Sequence, residues 1–270
     1  MESDYKRWTY FPGNVYKTPE TKKRKFWDKL VLGTRIYFVL RYIRAINVNA
    51  RKALAGVYDR EAWAESSIDI LNLTEDCGAR YNISGLDNLH ELEGPAVFVS
   101  NHMSTLETMV YPGIIAPEMP VTFVVKESLM TAPLFGPVMR SREPITVKRE
   151  NVREDLMAVM SQGQEKLKEG TSIIIFPQST RTVNFNPKEF NSMGIKLAQK
   201  AKVKVVPMAI KSDFWGNGKL IKEFGKLNRK KTVFIEIGKP FAVSGNGKED
   251  HERVTAWISE RLEQWNKIRS

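Results

Sequence analysis

The sequence predicts an α/β protein: a mostly parallel or mixed central sheet covered by helices over residues 81–270, preceded by an N-terminal amphipathic helical segment over residues 1–80. Three observations predict it. From Asn82 onward, short apolar runs rich in β-branched or aromatic residues recur at 96–100, 121–125, 171–176, 204–210 and 232–237, each of strand length. Longer stretches with apolar residues at helical spacing lie between them, and that alternation is the layer pattern of a sheet covered by helices. No internal repeat or long low-complexity linker interrupts the chain, and 270 residues suffice to bury a full core around one main domain.

The elements can be justified in order. The opening MESDYKRWTYFPGN lacks a basic region followed by a continuous apolar run, so no cleaved secretory signal is expected. The stretch 30–40, LVLGTRIYFVL, is apolar but carries Arg35, with Arg41 and Arg44 beyond it, and it falls short of the roughly 20 residues that span a bilayer. Lys22, Lys23, Arg24, Lys25 and Lys29 surround it, interleaved with Trp27, Tyr37, Phe38 and Tyr42. This pattern predicts an interfacial helix that docks on the cytoplasmic face of a membrane, in a peripheral or monotopic manner; an amphipathic helix packed on its own domain carries the same pattern. Basic residues beside anionic lipid add on the order of 1 kcal/mol each. Further on, Val152, Leu156, Val159, Met160 and Leu167 fall near helical spacing, as do Val254, Ile258, Leu262 and Trp265, and both stripes read as core-facing helix surfaces. The small, polar loop 244–248 precedes the last helix.

Composition narrows the function classes. Hydrophobic residues at 42% and charged residues at 27% exclude a disordered chain. With a single cysteine, Cys77, no intrachain disulfide can form, and three histidines do not make up a thiolate metal site, so no metal or organic cofactor is implied. The 42 Lys+Arg against 31 Asp+Glu give a net charge of +11, which draws anionic surfaces: phospholipid headgroups, nucleic acid or acyl-carrier proteins. Zinc-ligand spacing, an RNP-like aromatic motif and a basic low-complexity tail are all lacking, so nucleic acid is not an expected partner.

Two segments carry chemistry. In VFVSNHMSTLE (97–107) a strand runs into His102, with Glu107 five positions later. On one continuous helix those side chains would point about 140° apart, so the helix must begin after His102. Ser104 as N-cap would leave His102 in the turn and Glu107 in the first helical turn, where the helix dipole favours an ionised carboxylate. A carboxylate on one ring nitrogen fixes the tautomer and frees the other nitrogen to take a proton from an alcohol. The spacing Ser104-x-x-Glu107 is equally a capping box, and a histidine at a strand end can serve only to bond the backbone. In IIIFPQSTRT (173–182) a buried strand ends in a turn where Arg181 can offer a bidentate fork to phosphate, with Thr180 and Thr182 as hydroxyl donors; a solvated surface arginine fits the same residues.

Together these segments resemble the glycerolipid acyltransferase family related to 1-acylglycerol-3-phosphate acyltransferases. Asn101-His102 through Glu107 is similar to the Asn-His-x4-Asp or Glu motif, 145–149 (ITVKR) to the second, 176–182 (FPQSTRT) to the third and 205–210 (VVPMAI) to the fourth, while Lys126 stands in the place of a lysine after the second strand. The resemblance covers roughly residues 94–210. It implies a glycerol-3-phosphate acyltransferase-type fold and transfer of a fatty acyl group from acyl-CoA or acyl-carrier protein to the hydroxyl of a lysophospholipid, 1-acylglycerol-3-phosphate first among them, in phospholipid biosynthesis at a membrane. His102 would then be the base, Glu107 its orienting acid, Arg149 and Arg181 the ligands of the acceptor's phosphate with Lys126 and Thr180, and backbone amides the donors to the tetrahedral oxyanion. Glu107 stands where many members have aspartate, and Gln178 and Ser179 replace Glu and Gly of the third motif. Those two positions leave room for another amphipathic acceptor, such as a lyso-ornithine-type lipid, or for an inactive membrane-binding protein.

Overall fold

The computed structural model describes residues 10–31, 34–178, 180–218 and 221–268; the expectations that fall on residues 1–9, on 32 and 33 and on Ser179 lie outside the described residues. One mixed sheet runs through the molecule, in the order β1 (Val15–Lys17), β2 (Arg80–Ser84), β8 (Thr232–Ile237), β7 (Lys204–Lys211), β3 (Ala96–Ser100), β6 (Ser172–Ile175), β4 (Val121–Lys126) and β5 (Ile145–Val147), with β9 (Phe241–Ala242) beside β7. From β7 to β5 the neighbours are all parallel. β8 and β9 run antiparallel to β7, β2 parallel to β8, and β1 antiparallel to β2.

Strands β3, β4, β6, β7 and β8 are the five apolar runs of the sequence. The others escaped because β1, β5 and β9 are only two or three residues long, and because Arg80, Asn82 and Ser84 alternate with Tyr81 and Ile83 in β2 and make it read as polar.

Eight helices complete the described residues: α1 (Phe26–Leu30), α2 (Ile36–Leu54), α3 (Arg60–Asp76), α4 (Leu106–Ile115), α5 (Gly136–Ser141), α6 (Val152–Lys168), α7 (Met193–Ala201) and α8 (Lys248–Lys267). Alternation along the strands divides the core in two, because successive strand side chains face opposite sides. Phe98, Ile174, Val206 and Met208 point towards α2 to α5, whereas Val97, Val99, Ile173, Ile175 and Val205 point towards α6, α7 and α8. The result is three layers, helix on sheet on helix.

Local chemistry fixes the helix ends and faces. Asn151 caps α6 by accepting from the amides of Arg153 and Glu154, with Glu154 and Asp155 in the first turn and Lys166 and Lys168 in the last, as the helix dipole favours. In α2, Phe38, Tyr42, Ile46 and Ala50 recur every four residues and are buried on the side that faces α3, α5 and Trp215, while Ile36 and Leu40 stay exposed. Helices α3 and α4 are stitched together where the Ser67 hydroxyl accepts from the Gly113 amide at 2.8 Å and donates to the Met109 carbonyl, entering the α4 hydrogen-bond ladder. A Cβ at Gly113 would lie 2.9 Å from Ile68 Cδ1 and 3.0 Å from Ser67 Oγ, so any larger residue here must shift those side chains. Among the described residues no helix is long and apolar enough to cross a membrane.

Candidate active site

The parallel strands β3, β6, β4 and β5 end on one edge of the sheet, and the crevice outside the carboxyl ends of such strands is where open α/β sheets hold ligands. His102 follows β3, Lys126 closes β4, Arg149 follows β5, and Thr180 and Arg181 follow β6. All five line a single cavity of about 460 Å³. Glu107, the sixth residue expected at the site, sits in the first turn of α4 beneath the cavity wall and is fully buried.

The turn after β3 is built from the backbone outward. Asn101 extends the sheet ladder with its side chain, accepting from the Ile210 amide at 2.9 Å and donating to the Ile210 carbonyl at 2.8 Å. His102 then turns its Nδ1 onto Glu107 Oε1 at 2.9 Å. The same oxygen accepts from the amides of Met103 and Ser104, and Oε2 accepts from the hydroxyls of Ser104 and, at 2.8 Å, Ser212. Burial pushes the Glu107 carboxyl up, but the hydrogen bond and charge of His102 and the backbone amides outweigh it, and the pKa falls below the ordinary 4.5. Both readings of this spacing are therefore met by one carboxylate, which caps the turn and holds the imidazole. The cap position itself is Thr105, one residue later than expected; Ser104 Oγ instead accepts from the Leu106 amide at 3.0 Å.

The imidazole lies on the Phe176 ring, with centroids 4.3 Å apart and planes 19° from parallel. With Nδ1 committed to the carboxylate, Nε2 is the nitrogen left for a substrate proton. Gln178 joins this turn to the loop after β6: its Oε1 accepts from the His102 amide at 2.6 Å, its Nε2 donates to Thr182 Oγ1 at 2.7 Å, and the Thr182 amide donates to the His102 carbonyl at 2.9 Å. The amide of Gln178 thus joins the two loops that carry His102 and Arg181. The amides of residues 102, 103, 104 and 106 are engaged by Gln178, Glu107 and Ser104.

The cationic side of the cavity is held as firmly. Arg149 has φ 61°, a left-handed conformation costing roughly 1–2 kcal/mol for a residue with a Cβ, and the Asp155 carboxylate secures it by accepting from the amides of Lys148 and Arg149 at 3.0 and 2.9 Å. Burial lowers the Arg149 pKa, Asp155 opposes this and the nearby Arg181 adds to it, which shows the two guanidinium groups sharing one field. Arg181 donates from Nη1 to Thr105 Oγ1 at 3.0 Å and to Glu223 Oε1 at 2.9 Å. Apolar side chains, Met109, Phe123, Leu129, Phe135 and Met139, line the same cavity, so it offers both cationic and greasy surface. Sequence reasoning did not find the roles of Thr105, Ser212 or Glu223. Ser212 lies two residues past the fourth motif and Glu223 in an aperiodic stretch, and neither carries a local signal of its partner.

A family model described as Acyltransferase matches residues 80–211. A 1-acyl-sn-glycerol-3-phosphate acyltransferase of Pseudomonas aeruginosa is 31% identical over 196 residues, which cover 71% of this chain and 72% of the relative. A chloroplastic 1-acyl-sn-glycerol-3-phosphate acyltransferase of Arabidopsis thaliana is 30% identical over 142 residues, 53% of this chain but 38% of the relative. Among solved structures, a 1-acyl-sn-glycerophosphate acyltransferase from Thermotoga maritima has the same fold, with a TM-score of 0.64 at 22% identity, over 89% of this chain and 97% of that one.

Proposed function

The chain belongs to the acyltransferase family related to 1-acyl-sn-glycerol-3-phosphate acyltransferases and is an O-acyltransferase of phospholipid synthesis, and on that premise we propose that it moves a fatty acyl group from an acyl thioester to the hydroxyl of 1-acylglycerol-3-phosphate. The observation that carries this reading is the His102–Glu107 pair at a cavity lined both by Lys126, Arg149 and Arg181 and by apolar side chains. An amphiphile with an anionic head matches both kinds of lining.

In this reaction His102 Nε2 takes the proton of the acceptor hydroxyl as its oxygen attacks the thioester carbonyl carbon. The tetrahedral intermediate collapses, the C–S bond breaks, and the imidazolium returns its proton to the departing thiolate. Glu107 stays ionised and stabilises the imidazolium; such proton transfer is worth typically ~10²–10⁴-fold in rate. The donor thioester is that of coenzyme A or of acyl-carrier protein, and the basic surface suits the phosphates of the first as well as the acidic face of the second. No covalent acyl-enzyme is required: Cys77 is fully buried beside Asp28, and its thiol is pushed far up, first by burial and then by Asp28.

Access to a lipid acceptor comes through the N-terminal helices. Phe26, Trp27, Leu30, Ile36 and Leu40 are more than half exposed on α1 and α2, close in sequence to Lys22, Lys23, Lys25 and Lys29, and this surface docks peripherally on the cytoplasmic leaflet. The test is acyl transfer by wild type and His102→Ala with a palmitoyl thioester and lysophosphatidic acid in mixed micelles. Phosphatidic acid from the wild type alone is the expected result; undiminished transfer by His102→Ala refutes the mechanism.

A further inference from the structure

Glu223 puts a carboxylate into a cavity read as an anion site, and the way it is used there is informative. A guanidinium carries five N–H groups, two of them on Nη1. Both are engaged in Arg181, one by Thr105 Oγ1 at 3.0 Å and one by Glu223 Oε1 at 2.9 Å. Among the described residues, Arg181 makes no hydrogen bond from Nε or Nη2. That edge is the side-on fork whose two parallel N–H groups match two oxygens of a phosphate.

We propose that Glu223 is a positioning residue for the acceptor headgroup: with Thr105 it holds Arg181 by Nη1 so that the Nε–Nη2 edge faces an incoming phosphate monoester. This rests on the reading of Arg181 as a phosphate ligand and deepens it in two ways. First, phosphate binds without displacing the carboxylate, so Glu223 organises the site and does not compete for it. Second, Glu223 sets the charge of the cavity. Lys126, Arg149 and Arg181 outnumber the one acid among the described lining residues, which suits an anionic headgroup.

The loop that carries Glu223 is tied to the helix layer rather than to the site. The Glu223 carbonyl accepts from Trp215 Nε1 at 3.0 Å, and the Phe224 carbonyl accepts from Arg35 at the start of α2. Trp215 in turn packs edge-on against Phe38 and Tyr42 of α2, with centroids 4.7 and 5.1 Å apart, and Phe224 packs edge-on against Tyr42 at 6.4 Å. A side chain that orients a ligand-binding group works only when it is itself held in this way.

Steady-state kinetics of the full chain test the proposal, with lysophosphatidic acid and a palmitoyl thioester varied separately for wild type, Glu223→Ala, Glu223→Gln and Arg181→Ala. Glu223→Ala is expected to raise KM for lysophosphatidic acid roughly 10-fold, the lower end of what outer-shell partners contribute at metal sites, while kcat and the thioester KM stay within about twofold. Glu223→Gln keeps an acceptor oxygen for Nη1 and is expected to recover most of the loss, and Thr105→Val should shift the same KM in the same direction. An unchanged or lower acceptor KM in Glu223→Ala overturns the proposal, as does a loss shared by both substrates with a fall in Tm, which would mark Glu223 as merely structural. The Arg181→Ala control separates two failures: if it leaves the acceptor KM unchanged, the phosphate reading falls, and if it raises KM while Glu223→Ala does not, only the positioning role falls.

Discussion

Glu107 can be replaced in two ways that part its two duties. In Glu107→Gln the side-chain carbonyl can keep the position of Oε1, accepting from His102 Nδ1 and from the amides of Met103 and Ser104, while the new Nε2 meets the hydroxyls of Ser104 and Ser212, which can turn to accept. The network survives at a cost of about 1 kcal/mol, but the charge that stabilises the imidazolium is gone. In Glu107→Ala the amides of Met103 and Ser104 lose their acceptor in a fully buried turn, at roughly 1–3 kcal/mol each, or about 2–6 kcal/mol together. For a chain of this size that corresponds to a fall in Tm of roughly 5–15 °C. The expected pattern is therefore a glutamine variant with near-native Tm and kcat/KM lowered about 10²–10⁴-fold, and an alanine variant that loses both. Differential scanning calorimetry and a thioester-release assay read the two quantities on the same preparations. Wild-type turnover in Glu107→Gln would reduce Glu107 to a cap, and a Tm as low as that of Glu107→Ala would refute the hydrogen-bond assignment.

The remaining predictions are briefer. Because the folded-state pKa of Glu107 is depressed below the ordinary 4.5, its contribution to stability is fully present above that pH and is lost as pH falls through the folded value; urea midpoints of wild type should drop on acidification below about pH 4.5, and Glu107→Gln should flatten that limb. On the alkaline side, burial pushes the Tyr58 phenol up to about 12, so its contribution is complete below pH 10 and fades towards 12, a loss that Tyr58→Phe should remove from the same titration. Phe26→Ser combined with Trp27→Ser should weaken flotation with anionic liposomes while sparing turnover on a soluble short-chain acceptor, since both side chains are more than 60% exposed; unchanged flotation would argue that α1 packs elsewhere.

The central strands were legible because burial on both faces leaves an unmistakable apolar run, as in the Ile173–Ile175 stretch of β6. Edge strands carry no such run: β1 exposes Val15 and Lys17, and pairing alone makes it a strand. Helix α3, inside the expected helical segment, has no legible stripe of its own for another reason. It buries Ser66, Ser67, Thr74 and Glu75 along with Ile68 and Leu71, and polar residues whose hydrogen bonds are met by backbone carbonyls and by Thr18 erase the hydrophobic period. At the site, residues contiguous with a motif could be read, and the structure brings His102, Lys126, Arg149, Thr180 and Arg181 to one cavity over Glu107. Partners that arrive from another loop could not, because nothing local in the sequence says that Ser212 reaches Glu107 or that Glu223 reaches Arg181.

The place of β2 in the sheet bears on how the chain reaches its structure. Its parallel neighbour is β8, with Arg80 opposite Thr232, so the ladder joins segments made far apart in time. At about 5–20 residues per second of synthesis, β8 follows β2 by on the order of 10 s. During that interval β2 has β1 as its strand partner, with Thr74 of α3 on the Tyr81 hydroxyl, and the entropy of closing so large a loop is met before the pairing with β8 returns anything. The order of synthesis and the order of the sheet run against each other here: β2, made early, meets its parallel neighbour only once β8 has been made.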